Sequence, residues 1–321
     1  MGDVACLGEL FIDLVPETKV DGQWLYRPSP GGAPGNVAVG LARLGHKSLM
    51  IARVGDEAFG KLIVSALQSY GVDTSGVTLA KNDKTGLSVV TLSDDGDRAF
   101  MFYHDQPADQ RMDPDDITRE QIAQSRILHI GLLPLSSAQS ASAQKKAMDL
   151  ADATNVLISC DVNFRPGLWA DYDKMIEAGR FIIARSAIVK VSEEELFALG
   201  IKGNMDEIVQ ALWHDKLQVL SVTRGAQGSV LYTPTNKYIC NGFAVDAIDT
   251  TGAGDTYTAS ILSGVMNGGE ASKPANLVLN ACAAGALAAT KKGAMESLPS
   301  ASEIAQLVAD QTLKISEFNR I

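Results

Sequence analysis

The sequence is poor in the features that mark several large classes of protein. Basic residues are in the minority: 28 Lys and Arg stand against 38 Asp and Glu, a formal charge of −10 over 321 residues. Phosphate backbones are bound by clustered Lys and Arg, so no nucleic-acid partner is expected. A small anion is a separate matter, because a concave site of backbone amides binds it whatever the net charge. Cysteine is scarce. Cys6, Cys160, Cys240 and Cys282 lie far apart with no C-x-x-C pair, which disfavours a zinc or dithiol redox motif; three sit in apolar strand-like runs and Cys282 in an Ala-rich helix, which predicts buried core thiols. His46, His104, His129 and His214 show no ligand spacing. No apolar run is long enough to span a bilayer, and Met1 to Leu7 enters a strand-like segment without the basic region and cleavage site of a signal peptide. A cytoplasmic protein with no membrane partner is expected. No Gly-x-Gly-x-x-Gly follows the first strand, which disfavours a dinucleotide-dependent oxidoreductase.

What is present is a regular alternation. Short apolar runs at Val4 to Leu7, Ser48 to Val54, Ile127 to Ile130, Val156 to Cys160, Ala187 to Val191 and Gln218 to Val222 read as buried strands. Helical spacing fills the intervals at Gly35 to Leu44, Glu57 to Tyr70, Ser136 to Asp152, Tyr172 to Ala184 and Met205 to His214. Right-handed crossovers between such strands predict an α/β fold: a doubly wound, mostly parallel sheet with helices on both faces. From Gly252 the chain reads as helical. Nothing marks an independent second unit, so residues 1–321 are expected to form a single domain. Two stretches break the pattern, at about 11–30 and 86–104. Their alternating sequence, with Asp94-Asp95-Gly96-Asp97 as a hairpin signal, predicts a small antiparallel β lid. Exposed lid strands could pair with a second lid, which suggests a homodimer.

The string Asp249-Thr250-Thr251-Gly252-Ala253-Gly254-Asp255 carries the most chemistry. It follows a strand-like segment, Gly242 to Ile248, and leads directly into an apolar-periodic helix. Small residues let a ligand approach the backbone, and the first amides of a helix are unpaired at its positive end. Gly252, Ala253 and Gly254 can therefore form an anion hole, while Asp255 in the first turn is placed to accept a hydroxyl proton. Taken alone, Gly-Asp would be an ordinary helix start. A second string, Gly31-Gly32-Ala33-Pro34-Gly35-Asn36, pairs close backbone approach with an amide suited to a polyol; a loop with a helix cap is its plainer reading. Gly55 to Leu62 nearly fits a P-loop, but Leu62 stands where the magnesium-binding hydroxyl should be, so it reads as a turn and helix.

Together, Gly31-Gly32-x-x-x-Asn36-x-Ala38-x-x-x-Ala42-x-Leu44-Gly45 and Asp249-Thr250-x-Gly252-Ala253-Gly254-Asp255 resemble the two signatures of the ribokinase and phosphofructokinase-B family of sugar kinases. Two separated motifs in the right order are more specific than either alone. The resemblance runs from about Leu7 to Pro299 and implies ATP and Mg2+, with a K+ site beside the anion hole. It implies substrate contacts from Asp13, Gly31, Gly32 and Asn36, with Arg98 and Tyr103 added from the lid. It also gives Arg165, in Asp161-x-Asn163-x-Arg165, a role at the substrate or transferring phosphate. Ser192 stands where the family's Asn-x-x-Glu segment has Asn, and Glu195 matches the acid that organises magnesium through water. Thr223, Gly225 and Gly228 match the nucleotide loop, Asn280 and Ala283 the helix bordering adenine, and Asp249, Thr251, Gly293 and Ser297 the monovalent-cation site. Gly8-Glu9, Pro30 to Pro34, Asp95 to Tyr103 and Lys190 to Glu195 are most similar to fructokinases. A kinase of 2-keto-3-deoxygluconate or of aminoimidazole riboside is the alternative, and a catalytically silent sugar-binding protein is the alternative outside enzymes. Alternation puts Arg98, Phe100 and Phe102 on one lid face and Ala99, Met101 and Tyr103 on the other, leaving open which meets the ligand.

Overall fold

A computed structural model describes residues 2–92, 98–103, 106–311 and 313–320. The lid turn at Asp94 to Asp97 and His104 lie outside the described residues. Seven parallel strands form most of a ten-stranded sheet: β1 (Val4–Leu7), β4 (Ser48–Gly55), β5 (Asp73–Ala80), β8 (Ile127–Ile130), β9 (Leu157–Asp161), β10 (Ile188–Ser192) and β11 (Val219–Thr223). Three antiparallel strands, β12 (Ser229–Tyr232), β13 (Asn236–Cys240) and β14 (Ser316–Asn319), extend one edge. The order is β14-β13-β12-β11-β10-β9-β8-β1-β4-β5. From β1 the chain winds outward through β4 to β5, then returns to β8 and winds the other way. The crevice beside β1, at the carboxyl ends of the strands, is therefore the topological switch point where open α/β sheets bind ligands.

The alternation that marked the strands divides the core between two faces. Val4 and Cys6 of β1 pack into one apolar cluster and Ala5 and Leu7 into the other; Ile188 and Val189 of β10 divide in the same way. The first face is covered by α1 (Ala33–Arg43), α2 (Ala58–Ser69), α8 (Ala253–Asn267), α9 (Pro274–Ala289) and α10 (Ala301–Asp310). The second is covered by α3 (Arg119–Ala123), α4 (Ala138–Thr154), α5 (Tyr172–Arg185), α6 (Glu193–Ala198) and α7 (Met205–Leu212). All four cysteines are free and buried, as their apolar sequence surroundings predicted.

The lid is a separate four-stranded sheet in the order β3-β2-β6-β7, from β2 (Phe11–Val20), β3 (Gln23–Gly31), β6 (Gly86–Leu92) and β7 (Arg98–Tyr103). Its two hairpins are antiparallel, and β2 joins β6 in parallel, Phe11 opposite Gly86. Two expectations fail. Gly242 to Ile248 is not a strand: Ala244 exchanges hydrogen bonds with the Gln311 side chain, and Ile248 N–H donates to Ala289 O at 2.7 Å. Its backbone is satisfied by the ends of two helices instead of by the sheet. The edge strands β5 and β14 were not foreseen. Every residue of β14 is exposed, so no apolar period announces it.

Helices α1 and α8 meet without intervening side chains. A Cβ built on Gly40 would lie 2.8 Å from Ala259 Cβ, closer than real carbons approach. Gly40→Val should push the helices apart and destabilise the protein by about 1–3 kcal/mol. Gly167→Ala, with no neighbour within 4 Å, should be neutral by comparison in urea unfolding.

Candidate active site

At the switch point the loops after β1, β9 and β10 and the N-termini of α1 and α8 enclose a cleft of about 750 Å3, roofed by the lid residues Phe11, Asp13 and Phe102. It collects residues that are far apart in the chain: Glu9, Gly31, Gly32, Asn36, Asn163, Arg165, Lys190, Ser192, Glu195, Asp249, Thr251, Gly252, Gly254 and Asp255.

Gly32 caps α1 with φ of 114°, a conformation disfavoured for L side chains. A Cβ there would stand 2.3 Å from the Glu9 carbonyl oxygen, so only glycine lets this loop pass over the end of β1. One turn on, Asn36 Nδ2 donates to Asp255 Oδ2 at 2.7 Å. The amide thus fixes one oxygen of the carboxylate and leaves the other for a ligand.

Asp255 occupies the first turn of α8, whose cap Gly252 has φ of 79°. The first helical bond is that from Thr256 N–H to Gly252 O, at 2.9 Å, so the Gly254 and Asp255 amides precede it. Ala253 differs from expectation: its N–H turns back onto Thr250 O at 3.2 Å, which leaves Gly252 and Gly254 as the hole's cleft-facing members. Burial and the neighbouring Asp161 push the Asp255 carboxyl up to about 6, against the opposing effects of the Asn36 bond, Lys190 and Arg165. The result is a base that is ionised at neutral pH and basic enough to accept a proton.

Below the anion hole, Lys190 Nζ pairs with the buried Asp161 Oδ1 at 3.0 Å, and it would lie 3.2 Å from a Cβ on Gly254. Neither Lys190 nor Glu9 was singled out from sequence. The available signal was a charge within or just after a buried strand, which needs a reason to be there. Ser192 and Glu195 form a capping box on α6, with Ser192 N–H donating to Glu195 Oε2 at 2.8 Å. Phe164 N–H donates to the other oxygen, also at 2.8 Å, so Glu195 ties the β9 and β10 loops together at the cleft wall.

Asp249 has a similar bracing position. Its Oδ1 accepts from Thr251 N–H at 3.0 Å and its Oδ2 from Gly293 N–H at 2.9 Å, joining the anion-hole loop to the segment containing Gly293 and Ser297. Ser297 is fully buried, with its hydroxyl on Ala294 O. Among the described residues, no group of three or more His, Cys, Asp or Glu side chains is arranged to hold a metal.

Thr223, Gly225 and Gly228 surround the turn between β11 and β12. Gly228 has φ of 88°, and a Cβ there would meet Cys240 O at 2.1 Å. Helix α9 packs beside this turn, with Ser229 Oγ 3.1 Å from Cys282 Sγ. Asn280 is half-buried, but Ala283 lies wholly in the core, so of the two Asn280 has the exposure a ligand contact requires. On the lid, Asp13 is held by Ser88 and faces the cleft. Tyr103 is a correction: it is 59% exposed and absent from the cleft, whereas Phe102 lines it, edge-on to Phe11 at 6.3 Å. Alternation along β7 puts the two aromatics on opposite faces. Arg98 belongs to β7, and its side chain lies outside the described residues.

A poised carboxylate facing helix-terminal amides at the switch point of an open α/β sheet defines a site for group transfer to a hydroxyl. Comparison with known proteins gives the class its family. The model of the pfkB family of carbohydrate kinases matches residues 1–301, and the chain belongs to that family. It is therefore a phosphotransferase acting on a sugar hydroxyl. Its relatives include the probable fructokinase-5 of Arabidopsis thaliana, 36% identical over 96% of this chain and 98% of the relative, and fructokinase-2 of Solanum lycopersicum, 35% identical over 96% of each. Among solved structures, the ATP-bound fructokinase of Xylella fastidiosa superposes with a TM-score of 0.89, at 29% identity over 97% of this chain and 99% of that one. A double-mutant fructokinase of Vibrio cholerae with fructose, ADP and potassium ion bound gives 0.86, at 32% identity over 96% and 98%.

The raised carboxyl of Asp255 has a consequence for stability. An acid with a folded pKa near 6 and an ordinary value of 3.8 opposes folding above pH 6, and this effect fades as pH falls to 3.8. Asp255→Asn should therefore be more stable than wild type at pH 8. Discounted for the part-exposed position, the gain should be about 1–2 kcal/mol, shrinking towards zero below pH 4. Urea denaturation at the two pH values measures it.

Proposed function

We propose that this chain is an ATP-dependent fructokinase, transferring the γ-phosphoryl group to a hydroxyl of fructose. The fructokinase relatives and the ATP- and fructose-bound structures support that choice. The observation that carries it is the 2.7 Å bond from Asn36 to Asp255, which aims a carboxylate at the junction of lid, glycine loop and α8 amides.

In this reading the acceptor hydroxyl lies against the free oxygen of Asp255. Its oxygen attacks the γ-phosphorus, the bond to the β,γ-bridging oxygen breaks, and its proton passes to Asp255; ADP leaves. Gly252 and Gly254 present the positive end of α8 to the equatorial oxygens, and the Arg165 guanidinium supplies a cation at the cleft wall. Asp13, Gly31, Gly32 and Asn36 hold the sugar. Thr223, Gly225, Gly228 and Asn280 border the nucleotide. Glu195 fits a magnesium ion held mainly through water, since its two oxygens already serve backbone amides yet line the cleft; bound there, the ion would neutralise phosphate charge. Asp249, Thr251, Gly293 and Ser297 would place a monovalent cation behind the anion hole. Residues 1–321 act as one α/β unit with 11–30 and 86–104 as the lid, whose closure excludes water. Among the described residues no helix is long and apolar enough to cross a membrane, and the cytosol is the proposed location.

Measuring ADP release with Mg-ATP against fructose, ribose, 2-keto-3-deoxygluconate and aminoimidazole riboside tests this assignment. Fructose should give the highest kcat/KM, with an acid limb near pH 6 where Asp255 loses its charge. Asp255→Asn should lower kcat by about 10^2–10^4. Undiminished transfer by that variant would remove the mechanism, and preference for another sugar would move the substrate.

The lid's exposed apolar side chains, among them Val20, Trp24, Leu25, Met101 and Tyr103, support a homodimer formed through the lids. Sedimentation should show a dimer that Trp24→Glu combined with Tyr103→Glu dissociates. A monomeric wild-type protein excludes it.

A further inference from the structure

Glu9 sits at the carboxyl end of β1, inside the switch point, and is 95% buried (5% exposed) while lining the cleft. Its Oε1 accepts from Ala33 N–H at 3.3 Å, which fastens the glycine loop to the strand. Its Oε2 has no hydrogen-bond partner. Behind it the structure is short of donors. Asp109, 2% exposed, has no well-formed hydrogen bond to either carboxylate oxygen, only the nearby amides of Asp109 and Gln110, and Gln144, fully buried, leaves its Oε1 unpaired while its amide nitrogen donates to Gly131 O at 3.1 Å. A Cβ on Gly131 would stand 3.4 Å from Glu9 Oε2, so this backbone closes the site from behind. Across the cleft Asn36 Oδ1 is also buried and unpaired.

Buried acceptors left without a donor are costly, and two remedies exist: protons on the carboxyls, or a ligand that brings donors. Burial, with Asp109 adding to it, pushes the Glu9 carboxyl up to about 8, and burial pushes that of Asp109 up to about 7. Asp255 adds to the same effect on Glu9. This wall of the cleft therefore disfavours negative charge. A neutral polyol supplies hydroxyls that donate to Glu9 Oε2 and Asn36 Oδ1, whereas a sugar carboxylate would add charge beside Glu9, Asp13 and Asp255, which all line the cleft.

We propose that Glu9 is a specificity-determining residue that forms the inner wall of the sugar site, its Oε2 hydrogen-bonding a hydroxyl of a neutral sugar and turning sugar acids away. The proposal rests on the kinase reading above and assigns it a discriminating group.

Steady-state kinetics and calorimetry with fructose and 2-keto-3-deoxygluconate test it. Glu9→Leu should raise the fructose KM and Kd about tenfold or more, leave the ATP KM within about twofold, and raise relative turnover of the sugar acid. Glu9→Asp, which withdraws the carboxyl by one methylene, should shift fructose KM in the same direction. Glu9→Gln, which keeps an acceptor for Ala33 and presents an amide N–H to which the sugar hydroxyl can turn its oxygen, should recover most of the affinity. Melting temperatures establish that each variant is folded, and if the Leu protein is not, the Asp protein decides. Unchanged fructose KM in a folded variant, or fructose and ATP KM rising together, overturns the proposal. Asp255-dependent turnover of fructose with an indifferent Glu9 leaves the kinase reading standing and removes this one. If no sugar is turned over, fructose binding still decides: binding weakened by Glu9→Leu supports the role, and absence of binding to the wild-type protein refutes it.

Discussion

The site depends on the contact between α1 and α8. Gly40 lets Ala259 approach to a distance that a side chain would forbid, and this brings the N-termini of both helices to one point. Asn36 and Asp255 meet there. The glycine loop before α1 and the anion hole before α8 are then neighbours, although more than two hundred residues separate them in the chain. Each loop is braced from behind by a carboxylate that accepts backbone amides: Glu9 at Ala33, and Asp249 at Thr251 and Gly293. Glu195 performs the same service between the β9 and β10 loops. Backbone conformation at the cleft is thus held by buried and part-buried acids.

A further buried acid, Asp161, sets the electrostatics at the base. Asp161 is neutralised locally by Lys190, yet it still raises the Asp255 carboxyl, while Lys190 and Arg165 lower it. The outcome is a base near the middle of its useful range. A fully exposed aspartate would be a weaker base, and one buried without Lys190 and Asn36 would hold its proton to higher pH.

Much of this was legible in the sequence, for identifiable reasons. Strands buried on both faces appear as continuous apolar runs, so β1, β8, β9, β10 and β11 could be read almost to the residue. The two glycine strings could be read because close backbone approach allows few residue types. β14 could not, since every residue in it is exposed and its pairing depends on β13 alone. Gly242 to Ile248 looked like a strand because extended, apolar chain looks the same whether a sheet or helix ends satisfy its backbone. Tyr103 was named among the lid contacts, and Phe102 was not, although alternation gives two faces without saying which is inward. Lys190 and Glu9 carried a signal, a charge where the pattern demanded an apolar residue, but its meaning needed the partners Asp161 and Ala33.

The bond between Asn36 and Asp255 joins residues 219 positions apart. Contacts so distant in sequence carry a large loop-closure entropy, which falls once the intervening chain is ordered. During synthesis, β1, the glycine loop and α1 emerge early and must wait for α8 to cover their apolar face. Until then Val37, Leu41 and their neighbours in the first core cluster have no partner on that side. A chain interrupted before α8 would therefore expose sticky surface in place of a half-built site, and the last quarter of the sequence decides whether the first becomes soluble.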